Sequence, residues 1–464
     1  MKFIITLCVF IAAAVTTHLH AQTFSAEGLE FTVVSETEKT VSINRFLDDF
    51  KGGWTYTLPE KVAYQDAEYT VTEIGRLAFY KCRNITLLTI PNTITTIGYS
   101  AFESCTSLNG VVLSANIRTW GTGVFEGCTS LKYLTIPYGL DVIGQKAFYK
   151  CSGLQSVAIP GSLTEIGKGA FMDCTSLAVV TMGEGVSSIG SAAFSGCTSL
   201  ASINLPESIT EIGSGAFEKT AITKIAIPDN VTVLSGSLFR NCFKLSEVTL
   251  HEGITEIGGY AFYQCTALES IVLPESLKTL GQEAFEKSAL TSIDIPEQVT
   301  MIPKWCFKDC EGLRKASIGK DVTMVQARAF DRCPLVTIYS YNPEPPMIGV
   351  YAFYNSSATV YVPEESVELY KNHNVDGWGW HSFNTILPIV ASKNDDISDN
   401  ASKASVIING TVLSIVDADG MSAQIFSVDG RCEWQTARYG GEAVELQPGI
   451  HIVRIADNTL KVSL

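Results

Sequence analysis

The sequence predicts a solenoid of stacked coils, with one short parallel β-strand in each coil and a small β-domain after the last. Three observations carry this expectation. First, an Ala-Phe pair or close variant recurs with its aromatic residue at Phe79, Phe102, Phe125, Phe148, Phe171, Phe194, Phe217, Phe239, Phe262, Phe285, Phe307, Phe330 and Phe353. Second, successive gaps in this series of thirteen are 23 residues except for two of 22, which begin at Phe217 and Phe285. Third, 46% of the residues are hydrophobic and 17% charged, enough apolar surface for a folded core. At 464 residues a compact fold would divide into domains, whereas a solenoid lengthens one core by adding coils.

Each unit reads Leu-x-x-Val-x-Ile-Pro, a short turn, and then x-Ile-Gly-x-x-Ala-Phe-x-x-Cys. Leu154 to Pro160 followed by Ile166, Gly167, Ala170, Phe171 and Cys174 is one example. Val157 and Ile159 alternate as in a strand, and Pro160 ends it because proline has no N–H for a ladder. Leu163 and Ile166 form a second apolar wall, and Phe171 fills the centre. Coils stacked about 4.8 Å apart pair their strands into one long parallel sheet, so thirteen of them make a rod roughly 60 Å long.

This unit resembles that of the BspA-like leucine-rich-repeat proteins of bacterial surfaces, which carry the same Ile-Gly-x-x-Ala-Phe-x-x-Cys stretch. The resemblance spans about residues 72 to 390. It implies a leucine-rich-repeat fold, secretion or surface display, and binding; some members act as adhesins toward host matrix or other cells. It names no ligand.

Ten of the 13 cysteines follow the repeat phenylalanine by three residues: Cys82, Cys105, Cys128, Cys151, Cys174, Cys197, Cys242, Cys265, Cys310 and Cys333. They are expected to form a column of buried free thiols, with a disulfide ladder or a metal stack as sharper alternatives. In the two 22-residue gaps the cysteine is missing and the turn is one residue shorter, as Glu-Lys-Thr-Ala-Ile and Glu-Lys-Ser-Ala-Leu. The slot is therefore expected to vanish where the turn shortens.

Outside the repeat, residues 1–21 have the charged start, apolar core and small residue before Gln22 of a secretory signal. Cys8 lies inside that apolar core, where a lipid anchor would be out of place. Residues 22–70 are expected to cap the first coil, and 71–390 to form the solenoid with its terminal cap. Near its end, Tyr370 and Gly377-Trp378-Gly379-Trp380 are read as aromatics closing the core, with a sugar platform as the alternative. A polar linker, 391–405, leads to 406–464, where short alternating runs separated by Asp-Gly and Pro-Gly turns suggest a β-sandwich. Ile425 to Arg431 and Leu446 to Arg454 resemble the C-terminal sorting domain of type IX secretion, although the usual Asn-Pro opening is lacking.

The net charge of −15 opposes nucleic-acid and anionic-lipid partners, and no later stretch is apolar enough to span a membrane. No zinc-protease, phosphate-loop, nucleophile-elbow or Cys-x-x-Cys motif occurs. The repeat-turn carboxylates Glu165, Glu211 and Glu256 read as a solvated face rather than a glycosidase pair. No catalytic, cofactor or metal residue is therefore expected. The candidate ligand-facing positions lie on the strands: Thr89, Tyr133, Thr135, Thr181, Asn204, Lys224, Glu247, Thr249, Asp294, Lys315 and Tyr339. The face reads as small, weakly polar and short of aromatic or arginine anchors. The function expected is an exported, surface or secreted adhesin-like protein, periplasmic as the alternative, binding a protein or polysaccharide of host matrix or another cell. A ligand-free spacer and a carbohydrate-active enzyme are the competing readings. Oligomeric state is left open.

Overall fold

The computed structural model describes residues 22–47, 54–354, 356–374 and 379–389, and strands between 405 and 463. The expected signal segment 1–21, the expected linker up to residue 404 and Gly377-Trp378 lie outside the described residues. Two units separate at Pro388/Ile389.

The first unit is a parallel β-solenoid of about 14 turns of about 23 residues. The expectation of one strand per coil is corrected, because each coil meets its neighbours along more than one side. The first ladder is the expected one, for example Trp54–Thr57, Ile85–Thr89, Gly110–Val112 and Tyr133–Leu134 in parallel register. A second ladder of two-residue strands runs through the Ile-Gly step, as Glu165–Ile166, Ser188–Ile189 and Glu211–Ile212. The third side is the turn around the phenylalanine. There, the N–H groups of Lys146, Phe148 and Lys150 donate to the carbonyls of Lys168, Ala170 and Met172 in the next coil.

That third side exacts a backbone conformation the repeat consensus conceals. Coils place residues with positive φ on either side of the Ala-Phe pair, such as Lys146 (54°) and Lys150 (59°), or Trp305 and Asp309 (58° each). Left-handed geometry costs an ordinary residue about 1 kcal/mol or more, and the three ladder bonds offset it. Gly167 serves a different need: a Cβ there would lie 2.6 Å from the Ile143 carbonyl oxygen, so its role is close approach between coils.

Nor is the first ladder one continuous sheet. It divides into separate sheets, with no strand across residues 201–206 or 269–274. Ile203 and Leu205 nevertheless stay buried, so apolar packing keeps the coil in place where main-chain bonding lapses.

Packing centres on the phenylalanines. From Phe79 to Phe353 successive rings stack with centroids 5.0 to 5.9 Å apart and near-parallel planes. Phe46 extends the column at its start, 5.5 Å from Phe79. Trp380 and Phe383 close it against Phe353, each at 5.5 Å. The N-terminal segment is thus partly a degenerate coil: its strand Thr40–Phe46 pairs with Ala67–Ile74. Tyr370 and Trp380 are fully buried, donating to the carbonyls of Asn342 and Pro346 at 2.7 and 2.8 Å. They plug the core and are unavailable as a sugar platform.

The eleven described cysteines are unbridged. In the column from Cys105 to Cys333, each thiol donates to the carbonyl of the phenylalanine one coil earlier, at 2.9 to 3.2 Å. The slot does not vanish in the shortened turns, as expected from the sequence; a hydroxyl takes it. Thr220 and Ser288 are buried there, within 3.4 and 3.3 Å of the next thiols, Cys242 and Cys310. Length and cysteine are separable too, since Cys333-Pro334-Leu335 is equally short and keeps its thiol. Burial pushes Cys82 up to about 12 and Cys242 up to about 11.

Among the described residues, the second unit contains seven strands in two antiparallel sheets. One holds Ser405–Asn409, Val412–Val416 and Ala443–Glu445; the other holds Cys432–Thr436, Ala423–Ser427, Ile450–Ile455 and Asn458–Ser463.

Two outcomes follow from this packing. Phe194→Ala, which opens a hole in mid-column, should lower unfolding free energy by about 3–5 kcal/mol, read from urea denaturation midpoints. A loss under about 1 kcal/mol would mean the column is not cooperative. The thiols set a pH dependence. Except at Cys310, their folded values lie above the unfolded one near 8.5, so their stabilisation is complete below that value and declines as pH rises through it toward the folded values. The slope approaches about 1.4 kcal/mol per pH unit for each buried thiol. Denaturation midpoints at pH 7, 9 and 10.5 should fall steeply above pH 9, and a flat profile would contradict the buried column.

Candidate ligand-binding face

The strand ladder gathers the candidate positions onto one side of the solenoid because a two-residue alternation turns every second side chain outward. Register aligns them coil by coil: Ala158 beside Thr181, Lys224 beside Glu247, Ala226 beside Thr249, Ser292 beside Lys315, and Asp294 beside Ser317 beside Tyr339. Tyr133, Thr135, Thr181, Asn204, Lys224, Glu247, Thr249, Asp294 and Lys315 are exposed, while Thr89 and Tyr339 are half-buried. Asn204 holds its place without a strand around it.

Two parts of this face are occupied by their own chemistry. Lys224 pairs with Glu247 across adjacent coils, both well exposed, so the pair adds little stability but neutralises two charges. Lys315 lies over the Tyr339 ring, 5.4 Å from its centroid. The reading of a face without aromatic anchors is corrected at this end. Tyr339 stacks on Tyr361 at 5.0 Å and on Tyr341 at 6.3 Å. Burial, with Tyr339 and Asp294 nearby, pushes the Tyr341 phenol up. Sequence reasoning missed Tyr341 and Tyr361 as members of this face. The signal was present, since Thr337-Ile338-Tyr339-Ser340 and Thr359-Val360-Tyr361-Val362 place tyrosine at the same strand position in successive coils.

Elsewhere the titratable groups serve structure. His251 bridges the Val231 carbonyl and the Gly253 N–H, each at 3.0 Å. Burial lowers His373, whose carbonyl lies 2.9 Å from Nδ1 of His381. Glu165 and Glu211 sit two coils apart on the second ladder, both exposed. Among the described residues, no group of three or more His, Cys, Asp or Glu is placed to hold a metal. None of the helices among them is long and apolar enough to cross a membrane.

Stacked 23-residue coils in parallel register, a phenylalanine column and an outward strand face define a leucine-rich-repeat solenoid. The family model described as "BspA type Leucine rich repeat region (6 copies)" matches overlapping segments from residue 61 to 360. The chain belongs to this family. No curated protein matches it significantly. Among solved structures, it is similar to a leucine-rich cell surface protein of Faecalibacterium prausnitzii at 27% identity, TM-score 0.49, covering 69% of this chain and 94% of that one. A leucine-rich repeat protein of Bacteroides ovatus is 28% identical, TM-score 0.48, covering 68% and 94%. The pneumococcal vaccine antigen PcpA is 19% identical, TM-score 0.50, covering 79% and 98%, a likeness of fold alone.

Proposed function

We propose that this chain is an exported, surface-displayed or secreted binding protein, adhesin-like, whose solenoid engages a protein or polymer of host matrix or of another cell. The observation that carries this reading is the row of outward strand positions, repeated in register from coil to coil and exposed along the solenoid. Such a row offers many weak, equivalent contacts, and linked contacts raise avidity without any one strong anchor. Family membership supports the reading. The N-terminal signal segment and the resemblance of residues 406–464 to a type IX sorting domain of β-sandwich fold belong to the same proposal.

A structural spacer is the second reading. The observation favouring it is that parts of the face pair with themselves, as in Lys224 with Glu247 and Lys315 with Tyr339.

Two measurements separate these readings. In surface-binding assays of the full chain against immobilised matrix proteins and bacterial surface fractions, Thr181→Arg with Thr249→Arg should weaken saturable binding about tenfold. Absence of saturable binding by the unaltered chain would favour the spacer. Deleting 406–464 should leave the protein exported but absent from the cell surface by immunolabelling of intact cells. Unchanged surface labelling would remove the sorting role.

A further inference from the structure

The two shortened turns leave matching cavities on the turn side of the solenoid. A full-length turn runs Cys197-Thr198-Ser199-Leu200, whereas after Phe217 and Phe285 it runs Thr220-Ala221-Ile222 and Ser288-Ala289-Leu290. Each of these short turns lies between two full-length ones, and a cavity opens at each, of about 430 Å³ and about 620 Å³. Every residue lining the second stands 68 positions after its counterpart in the first, as Lys287 after Lys219, Ser288 after Thr220 and Ala289 after Ala221. The short turn at Cys333 is followed by another short one, Ser356-Ser357-Ala358, so it lacks a full-length neighbour on that side. The paired notches are three coils apart, roughly 14 Å along the axis.

We propose that these two notches together bind one neutral glycan chain lying along the solenoid. The proposal rests on the reading of the chain as a binding protein but places this ligand on the turn side, away from the strand face. Both notches share a lysine on one wall and an alanine methyl at the floor, beside Thr220 or Ser288, whose hydroxyls are held inward by the neighbouring thiols. Lys219 and Lys287 are loosely paired, 3.6 and 4.0 Å from Glu218 and Glu286, carboxylates also engaged by Arg240 and Lys308. The far walls add Asn241, Lys244 and the exposed ring of Phe243 in the first, and Asp309, Glu311 and Arg332 in the second.

This lining offers donors and acceptors together, which suits hydroxyl groups because each both donates and accepts. The Phe243 ring offers an apolar face for a sugar ring. A polyanion is disfavoured by the net charge of −15. An extended peptide draws affinity from an open strand edge, and no such edge exists here. The Lys219 and Lys287 N–H groups already donate to the Arg240 and Lys308 carbonyls in the next coil, each at 2.9 Å. A glycan needs no main-chain partners. Its repeat also advances by nearly the same step as one coil, so a single chain can reach from one notch to the other.

Titration calorimetry on the full chain tests this, using malto-, cello-, xylo- and manno-oligosaccharides of two and six sugars. At least one hexasaccharide should bind saturably, about tenfold or more tighter than its disaccharide, because only the longer chain spans both notches. Ala221→Trp and Ala289→Trp, each filling one notch, should each remove that advantage, and Phe243→Ala should weaken binding several-fold without filling anything. Unchanged thermal melting certifies that the variants fold. The proposal is overturned if no hexasaccharide binds, if both tryptophan variants bind normally, or if a uronate oligosaccharide or extended peptide proves the tighter ligand at the notches. A chain that binds matrix protein through the strand face but no glycan refutes the notches and spares the binding reading. A chain that binds neither refutes both.

Discussion

One coil of this protein cannot bury its own faces, and the contact that relieves it is the phenylalanine turn. Each ring stacks on its neighbours along the column, and nine of the phenylalanine carbonyls accept both their own turn's N–H and the thiol of the next coil. Phe148, for example, receives the Cys151 N–H at 3.0 Å and the Cys174 thiol at 3.1 Å. Aromatic packing and hydrogen bonding therefore act through the same residue. Neither is available to an isolated coil, which is why stability here belongs to neighbouring pairs.

That constraint explains features that look unrelated. The left-handed residues flanking each Ala-Phe pair exist because three N–H groups per turn must face the next coil. Burial in this slot pushes most of the thiols up. The hydroxyls of Thr220 and Ser288 substitute for them because the slot needs a small polar atom, and its identity is secondary. With the interior fixed so tightly, variation is pushed outward, onto the strand face and into the lengths of the turns.

Function follows from that division. The strand face is regular, mostly small and partly self-paired, which suits broad and multivalent contact better than a deep pocket. The turn side carries the exceptions, shortened turns, and two of these, three coils apart and each between full-length turns, make concave, mixed-polarity sites. A solenoid can thus hold two surfaces with different recognition chemistry on one core, since changes on either side leave the phenylalanine column intact.

The period of 23, the two apolar walls, the cysteine column and the outward strand positions were all legible in the sequence, because each is a repeat, and repetition marks the positions that share an environment. What needed tertiary structure was anything depending on how neighbouring coils meet. The second ladder is only two residues wide, too short to show as alternation. The positive φ values fall on Lys, Asp, Trp and Tyr as readily as on Gly, so composition concealed them. The stack of Tyr339, Tyr341 and Tyr361 arises from registry between coils. The 22-residue gaps were visible as missing residues, but that they open matching cavities depends on the full-length turns to either side. Sequence determined what each coil is made of; only the stacked structure decided which groups are left facing outward, because that is settled by the neighbour and not by the coil.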